Sequence, residues 1–151
     1  SGNLESVDKA ESNDRTSTDA LAGADLLGLA LGQVVQELGW DEDVDDALRD
    51  DIMDIIDAEM VEEPLEAVDV VVLWWRDEDG DVADGLVDAM TDLSGKGWIW
   101  LLTPKVGRPG FIDPASIAEG VTVAGLSLTS TANCADDWQA TRVVRPKGAR
   151  R

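Results

Sequence analysis

Two stretches decide the fold: Val70-Val71-Val72-Leu73-Trp74-Trp75 and Trp98-Ile99-Trp100-Leu101-Leu102. Each is a continuous apolar run with no polar alternation. Strands read this way when helices cover both faces of a parallel sheet. Between the two runs lies Val82–Leu93, where Val82, Leu86, Met90 and Leu93 fall on one helical face. Strand, helix, strand is the repeating unit of an α/β fold.

Upstream, Gln33–Leu38 reads as a short strand that ends at Gly39-Trp40. Asp41–Ile56 follows as a helix. Its Val44, Leu48, Ile52, Ile55 and Ile56 form an apolar stripe, and acids fill the opposite face. Ala58–Val61 is a short strand or a linker. Ala20–Leu31 reads as a helix capped by Thr18 or Asp19 and stopped at Gly32. Downstream, Asp113-Pro114 opens a helix through Glu119, with Asp as cap and Pro in the first turn. Gly125–Asn133 and Trp138–Arg145 flank Ala135-Asp136-Asp137 and read as an antiparallel hairpin. The expected class is α/β and Rossmann-like. It has a mostly parallel sheet, flanking helices and a C-terminal antiparallel hairpin, in the manner of a degenerate methyltransferase-like sheet.

At 151 residues the chain is one domain's worth. Residues 1–19 are expected to be a disordered acidic tail, 20–147 a single α/β domain and 148–151 a basic tail. No stretch approaches the roughly 20 apolar residues of a spanning helix. A single cysteine, Cys134, suits a cytoplasmic location.

The formal net charge is -20, and it is unevenly placed. Residues 1–100 hold 28 acids and 5 bases; residues 101–151 hold 4 acids and 7 bases. Such a surface repels nucleic acid and anionic membrane. With no His the chain has no His triad, shuttle or metal ligand. A calcium loop needs Gly at its sixth position, and Asp41 and Asp77 both start runs that miss it. Cys134 beside acids is not an activated thiol, and no Gly-x-Ser-x-Gly elbow occurs. No metal and no catalytic residue is expected.

Ligands of open α/β sheets sit at the carboxyl ends of the strands. Three places follow from that rule: Gly39–Asp43, Trp75–Asp77 and Thr103–Lys105. A dinucleotide or adenosyl-methionine site needs several glycines at the first. This chain keeps only Gly39 there, followed by Trp40 and acids, so no cofactor is expected. The leading expectation is a non-catalytic protein-binding or regulatory domain. Its docking face would be Trp40, Asp41, Asp45, Asp46 and Asp50, and its partner a basic protein. The alternative is a small-molecule binder or enzyme at the carboxyl edge, with Trp75, Arg76, Thr103 and Lys105 as the candidate pocket. The chain is expected to be a monomer or a homodimer paired through the hairpin edge. Trp98 and Trp100 share one face and read as core; Trp138 reads as a clamp on the hairpin.

Four segments together resemble a known family: Gly32–Asp43, Leu73–Arg76 with Asp79-Gly80-Asp81, Trp98–Lys105, and Asp137-Trp138 with Thr141–Val144. They are similar to the actinobacterial uncharacterised family called domain of unknown function 3052. The resemblance covers roughly residues 20–148. It implies a small cytoplasmic protein and brings no established activity. The layout also resembles a shortened methyltransferase sheet that lacks the cofactor motif.

Overall fold

A computed structural model describes residues 26–146. The expected tails at 1–19 and 148–151 lie outside the described residues, as does the start of the helix expected at Ala20–Leu31. The described part of that helix is a single 3-10 turn at Leu26 and Leu27. Gly28 ends it with φ 68°, outside the helical region.

Five strands form one sheet: β1 (Val35–Leu38), β2 (Val68–Trp74), β3 (Leu93–Pro104), β4 (Ser127–Ala132) and β5 (Trp138–Val144). Their spatial order is β1-β2-β3-β5-β4. The first three run parallel, and β5 pairs antiparallel with both β3 and β4. The sheet is therefore mixed, where a mostly parallel one was expected. Three helices flank it: α1 (Asp46–Ile56), α2 (Val82–Ala89) and α3 (Pro114–Val123).

Successive strand residues point to opposite faces, which divides the core in two. Val70, Val72, Trp74, Trp100, Leu102, Trp138 and Ala140 meet Leu48, Ile52 and Ile56 of α1. Val71, Leu73, Ile99, Leu101 and Val143 meet Leu86 of α2 and Ile117 and Val121 of α3. The two all-apolar runs are buried on both sides because each supplies both halves of the core.

The connection from β1 to β2 changes direction. After α1 the chain returns to the outer edge of β1, where Val61 pairs with Gln36 in parallel. Only then does it pass to β2, on the inner edge. Outgoing connections from β1 and β2 thus leave to opposite sides and over opposite faces. That is a topological switch point, the place where open α/β sheets bind ligands.

Several element limits differ from the sequence reading. Asp41–Asp45 is a loop and α1 starts at Asp46, because the Asp45 carboxylate caps the helix by accepting from Leu48 N at 2.9 Å. Asp57, at φ 59°, ends it. Leu93 belongs to β3, where it pairs with Val68. Gly95 and Gly97 lie within β3. A Cβ on Gly97 would stand 2.7 Å from Asp69 O, so the glycine permits a close strand approach. The helix α3 runs on through Gly120, which packs closely against Val82 of α2, to Val123.

Gly39 is the tightest point of the fold. Its φ is +78°, and a Cβ there would lie 2.2 Å from the carbonyl oxygen of Trp74. Gly39→Ala therefore combines backbone strain with a backbone clash. We expect a loss on the order of 3 kcal/mol or more in urea unfolding. Gly95→Ala, with open space around its Cβ, is the control and should stay within about 1 kcal/mol.

Candidate functional site

The carboxyl ends of β1 and β2 meet at Gly39 and Trp74, and one side chain caps both. Arg76 is 5% exposed. Its Nη1 donates to Gly39 O at 2.7 Å and reaches Trp74 O at 3.4 Å. Its Nε and Nη2 form a fork to Asp43, at 3.0 and 2.5 Å. Asp79 adds a second carboxylate, which accepts from Arg76 N at 2.9 Å and from Nη1 at 3.3 Å. The guanidinium also lies 5.3 Å from the centre of the Trp138 ring.

A second charged group sits beneath it. Glu37 is 4% exposed within β1. It accepts two bonds from Arg49 of α1, at 2.6 and 2.8 Å, and one from Trp74 Nε1 at 2.9 Å. Trp74 and Trp138 meet edge to face, with ring centres 4.9 Å apart. Trp138 Nε1 donates to Asp43 O at 3.2 Å. Buried charges persist only when paired and hydrogen-bonded, and both of these are. Burial pulls the Arg76 pKa down, but its bonds to Asp43 and Asp79 more than offset that, so it stays charged. The Arg76 hydrogen bond holds the Asp43 carboxyl below its ordinary 3.8.

The sequence-derived candidates separate in space. Arg76 faces the Asp43–Gly39 cluster. Trp75 is half-buried; its Nε1 donates to Gly80 O at 3.0 Å, and its ring lies against Gly85 of α2. Thr103 and Lys105 instead line a cavity of about 520 Å³ on the α3 side of the sheet, together with Phe111, Ile117, Leu128 and Thr141. Trp40 is half-exposed in the loop before α1. Asp41, Asp46 and Asp50 are exposed, whereas Asp45 is spent as the helix cap. Glu37 and Trp138 were not recognised as partners of this cluster. One signal was available: Glu37 is a lone acid inside a strand, and Arg76 a lone base directly after a buried one.

Trp100 is buried, with its Nε1 donating to Leu27 O at 2.9 Å. Trp98 is only partly buried and carries the Arg142 guanidinium 4.6 Å from its ring centre. Cys134 is buried, and burial first, then the nearby Asp45 charge, pushes its thiol up to about 11. No group of three or more metal-ligating side chains occurs among the described residues, and no helix there is long and apolar enough to cross a membrane.

The architecture is that of the Rossmann-like methyltransferases. A putative methyltransferase from Thermoplasma acidophilum superposes with a TM-score of 0.57 at 10% identity, over 82% of this chain and 72% of that one. The CcbJ methyltransferase from Streptomyces caelestis gives 0.51 at 10% identity, over 80% and 86%. At these identities the likeness concerns the fold alone. The chain belongs to the family "Protein of unknown function (DUF3052)", whose model matches residues 24–147. Two relatives are "Uncharacterized protein Rv2239c" of Mycobacterium tuberculosis and "Uncharacterized protein Mb2263c" of Mycobacterium bovis. Each is 48% identical over 122 residues, covering 80% of this chain and 77% of the relative.

This fold invites a test for adenosyl-methionine. The residues at the switch point do not fit it. Gly39 makes its close approach to the Trp74 carbonyl, not to open space. The Arg76 guanidinium, paired with Asp43 and Asp79, occupies the crevice between the ends of β1 and β2.

Two expectations follow. Arg76→Ala leaves Gly39 O and the Asp43 carboxylate without their donor, while Asp79 keeps the backbone N–H of residue 76. It should cost about 2–4 kcal/mol, toward the low end because Asp43 is half-exposed. The depressed Asp43 pKa contributes stability that is present above pH 3.8 and lost as the pH falls through its lower folded value. That acid limb of a stability–pH curve should shrink in Arg76→Ala. Cys134, for its part, should react with a disulfide reagent at pH 8 only slowly in the native protein, and rapidly once unfolded.

Proposed function

We propose that the protein is a non-catalytic binding domain on a methyltransferase-type frame, acting by docking to another protein. One observation carries the reading: the chain's own Arg76, Asp43 and Trp138 fill the crevice in which this fold class would hold a cofactor. A frame whose cofactor crevice is closed keeps its outer surfaces for recognition.

The acidic face of α1 and its approach is the docking surface. Leu48, Ile52 and Ile56 turn inward, while Asp41, Glu42, Asp46, Asp50 and Asp54 are exposed. Trp40 adds half-exposed aromatic area beside the acids. A partner matched to this face is basic, and its association is steered by charge and weakened by salt. A reducing cytoplasm suits the single buried thiol. The alternative, a small-molecule site at the carboxyl edge, draws its support from the cavity beside Thr103 and Lys105 and does not depend on α1.

Affinity capture from native cytoplasm tests the docking reading. The double variant Asp46→Lys/Asp50→Lys and the single variant Trp40→Ala should lose, at low salt, a basic protein that the wild-type chain retains. Asp45 is left intact because it caps α1. Equal recovery by all three chains would reduce the acidic face to a solubilising surface. In calorimetry, adenosyl-methionine should give no binding heat; saturable heat would overturn the closed-crevice argument.

A further inference from the structure

The cavity of about 520 Å³ lies at the carboxyl end of β3, on the face covered by α3. Its size falls in the range of small-molecule sites. Its walls are Val106, Phe111, Ile112, Ile117 and Leu128. Three of these, Val106, Phe111 and Leu128, are among the exposed large apolar residues of the fold. Their exposure is therefore concentrated at one concave place and not scattered singly, as surface apolar residues usually are.

The floor is polar, and the strand register explains why. Ile99 and Leu101 of β3 and Val143 of β5 point to the α3 face. By the two-residue period, Thr103, Gln139 and Thr141 point there too. Thr103 pairs with Gln139, and Thr141 with Thr131 of β4, so hydroxyls and an amide form a band across three strands. Thr103 and Thr141 are each 2% exposed. Both residues line the cavity, so their side chains are within reach of a molecule bound there.

The charge is as selective as the shape. In a chain with 32 acids and 12 bases, the lining contains no acid and one base, Lys105. Its ammonium bonds to Asn133 Oδ1, which uses one of three donors and leaves two.

We propose that this cavity binds a small organic acid: one carboxylate on an apolar aliphatic or aryl-alkyl body. The body fills the space between Phe111, Ile117 and Leu128. The carboxylate accepts from Lys105 and from the floor hydroxyls of Thr103 and Thr141. The site is separate from the Arg76 cluster and from α1, which lies on the other face. It does not require the docking reading. A second copy of this chain or a flat protein surface would cover the rim without reaching the floor hydroxyls.

The test titrates the full chain with octanoate, 4-phenylbutyrate and 1-octanol, followed by amide NMR and thermal melting. We expect saturable one-site shifts at Thr103, Gln139 and Thr141 with both acids. Octanol should bind about tenfold more weakly, as the loss of a charge-assisted hydrogen bond implies. Lys105→Gln should abolish that difference. Thr141→Val should weaken both acids without lowering the melting temperature of the free protein, a pairing that a purely structural hydroxyl does not produce. Leu128→Trp fills the cavity and should remove binding; if it fails to fold, Lys105→Gln and Thr141→Val carry the test. Absence of saturable shifts at millimolar acid overturns the proposal. So does a concentration-dependent dimer broken by Leu128→Asp, which would make the cavity an interface. Shifts confined to α1 also overturn it. Loss of partner capture by the Asp46 and Asp50 substitutions bears on the docking reading alone.

Discussion

The guanidinium of Arg76 is the constraint on which the rest of the structure depends. It draws together the carboxyl end of β1 through Gly39, the end of β2 through Trp74, the loop before α1 through Asp43 and a short 3-10 turn at Asp77–Asp79, just before α2, through Asp79. Trp138 carries the same contact across to β5. A planar fork with five donors can satisfy acceptors from several segments at once, which an ammonium cannot. Glu37 repeats the device one layer down, tying β1 to α1 and to Trp74. The carboxyl edge of the sheet is thus held by charge-assisted bonds, while its interior is held by apolar packing.

The crevice at the ends of β1 and β2 is bridged by the chain's own side chains. A switch point normally leaves room for a ligand because the backbones diverge there. Here the divergence is bridged by side chains, and the one remaining glycine serves the close approach of two strands. An open cavity lies beyond β3 on the α3 face. Acids are dense around α1 and occur on α2 and α3 as well, yet the lining of that cavity contains none.

Much of the fold was legible in the residues. The runs at Val70–Trp74 and Trp98–Leu102 could only be strands covered on both sides, and the stripe of Leu48, Ile52 and Ile56 could only be a helix facing them. Limits were less legible, since Asp41–Asp45 could open a helix or cap one. Gly95 and Gly97 could leave a helix or sit inside a strand. Which of these happened was settled by distant partners: Leu48 N for Asp45 and Asp69 O for Gly97. Of the candidate site residues, Thr103 and Lys105 were within reach of a rule about strand ends. Thr141, Gln139 and Leu128 were not, because they reach the cavity from strands far along the chain.

By itself, the sequence determined the α/β class, the two-sided burial of β2 and β3, and the lack of a glycine-rich turn after β1. These follow from local periodicity and composition, which act within a few residues. The tertiary structure alone decided that Arg76 closes the crevice instead of lining a pocket with Thr103, and that Trp138 supports it. It alone decided that Thr103 and Thr141, from strands far apart in the chain, line one cavity. Those outcomes depend on which strands become neighbours and in what register. Register is set by the packing of the whole sheet, and no short window of sequence contains it.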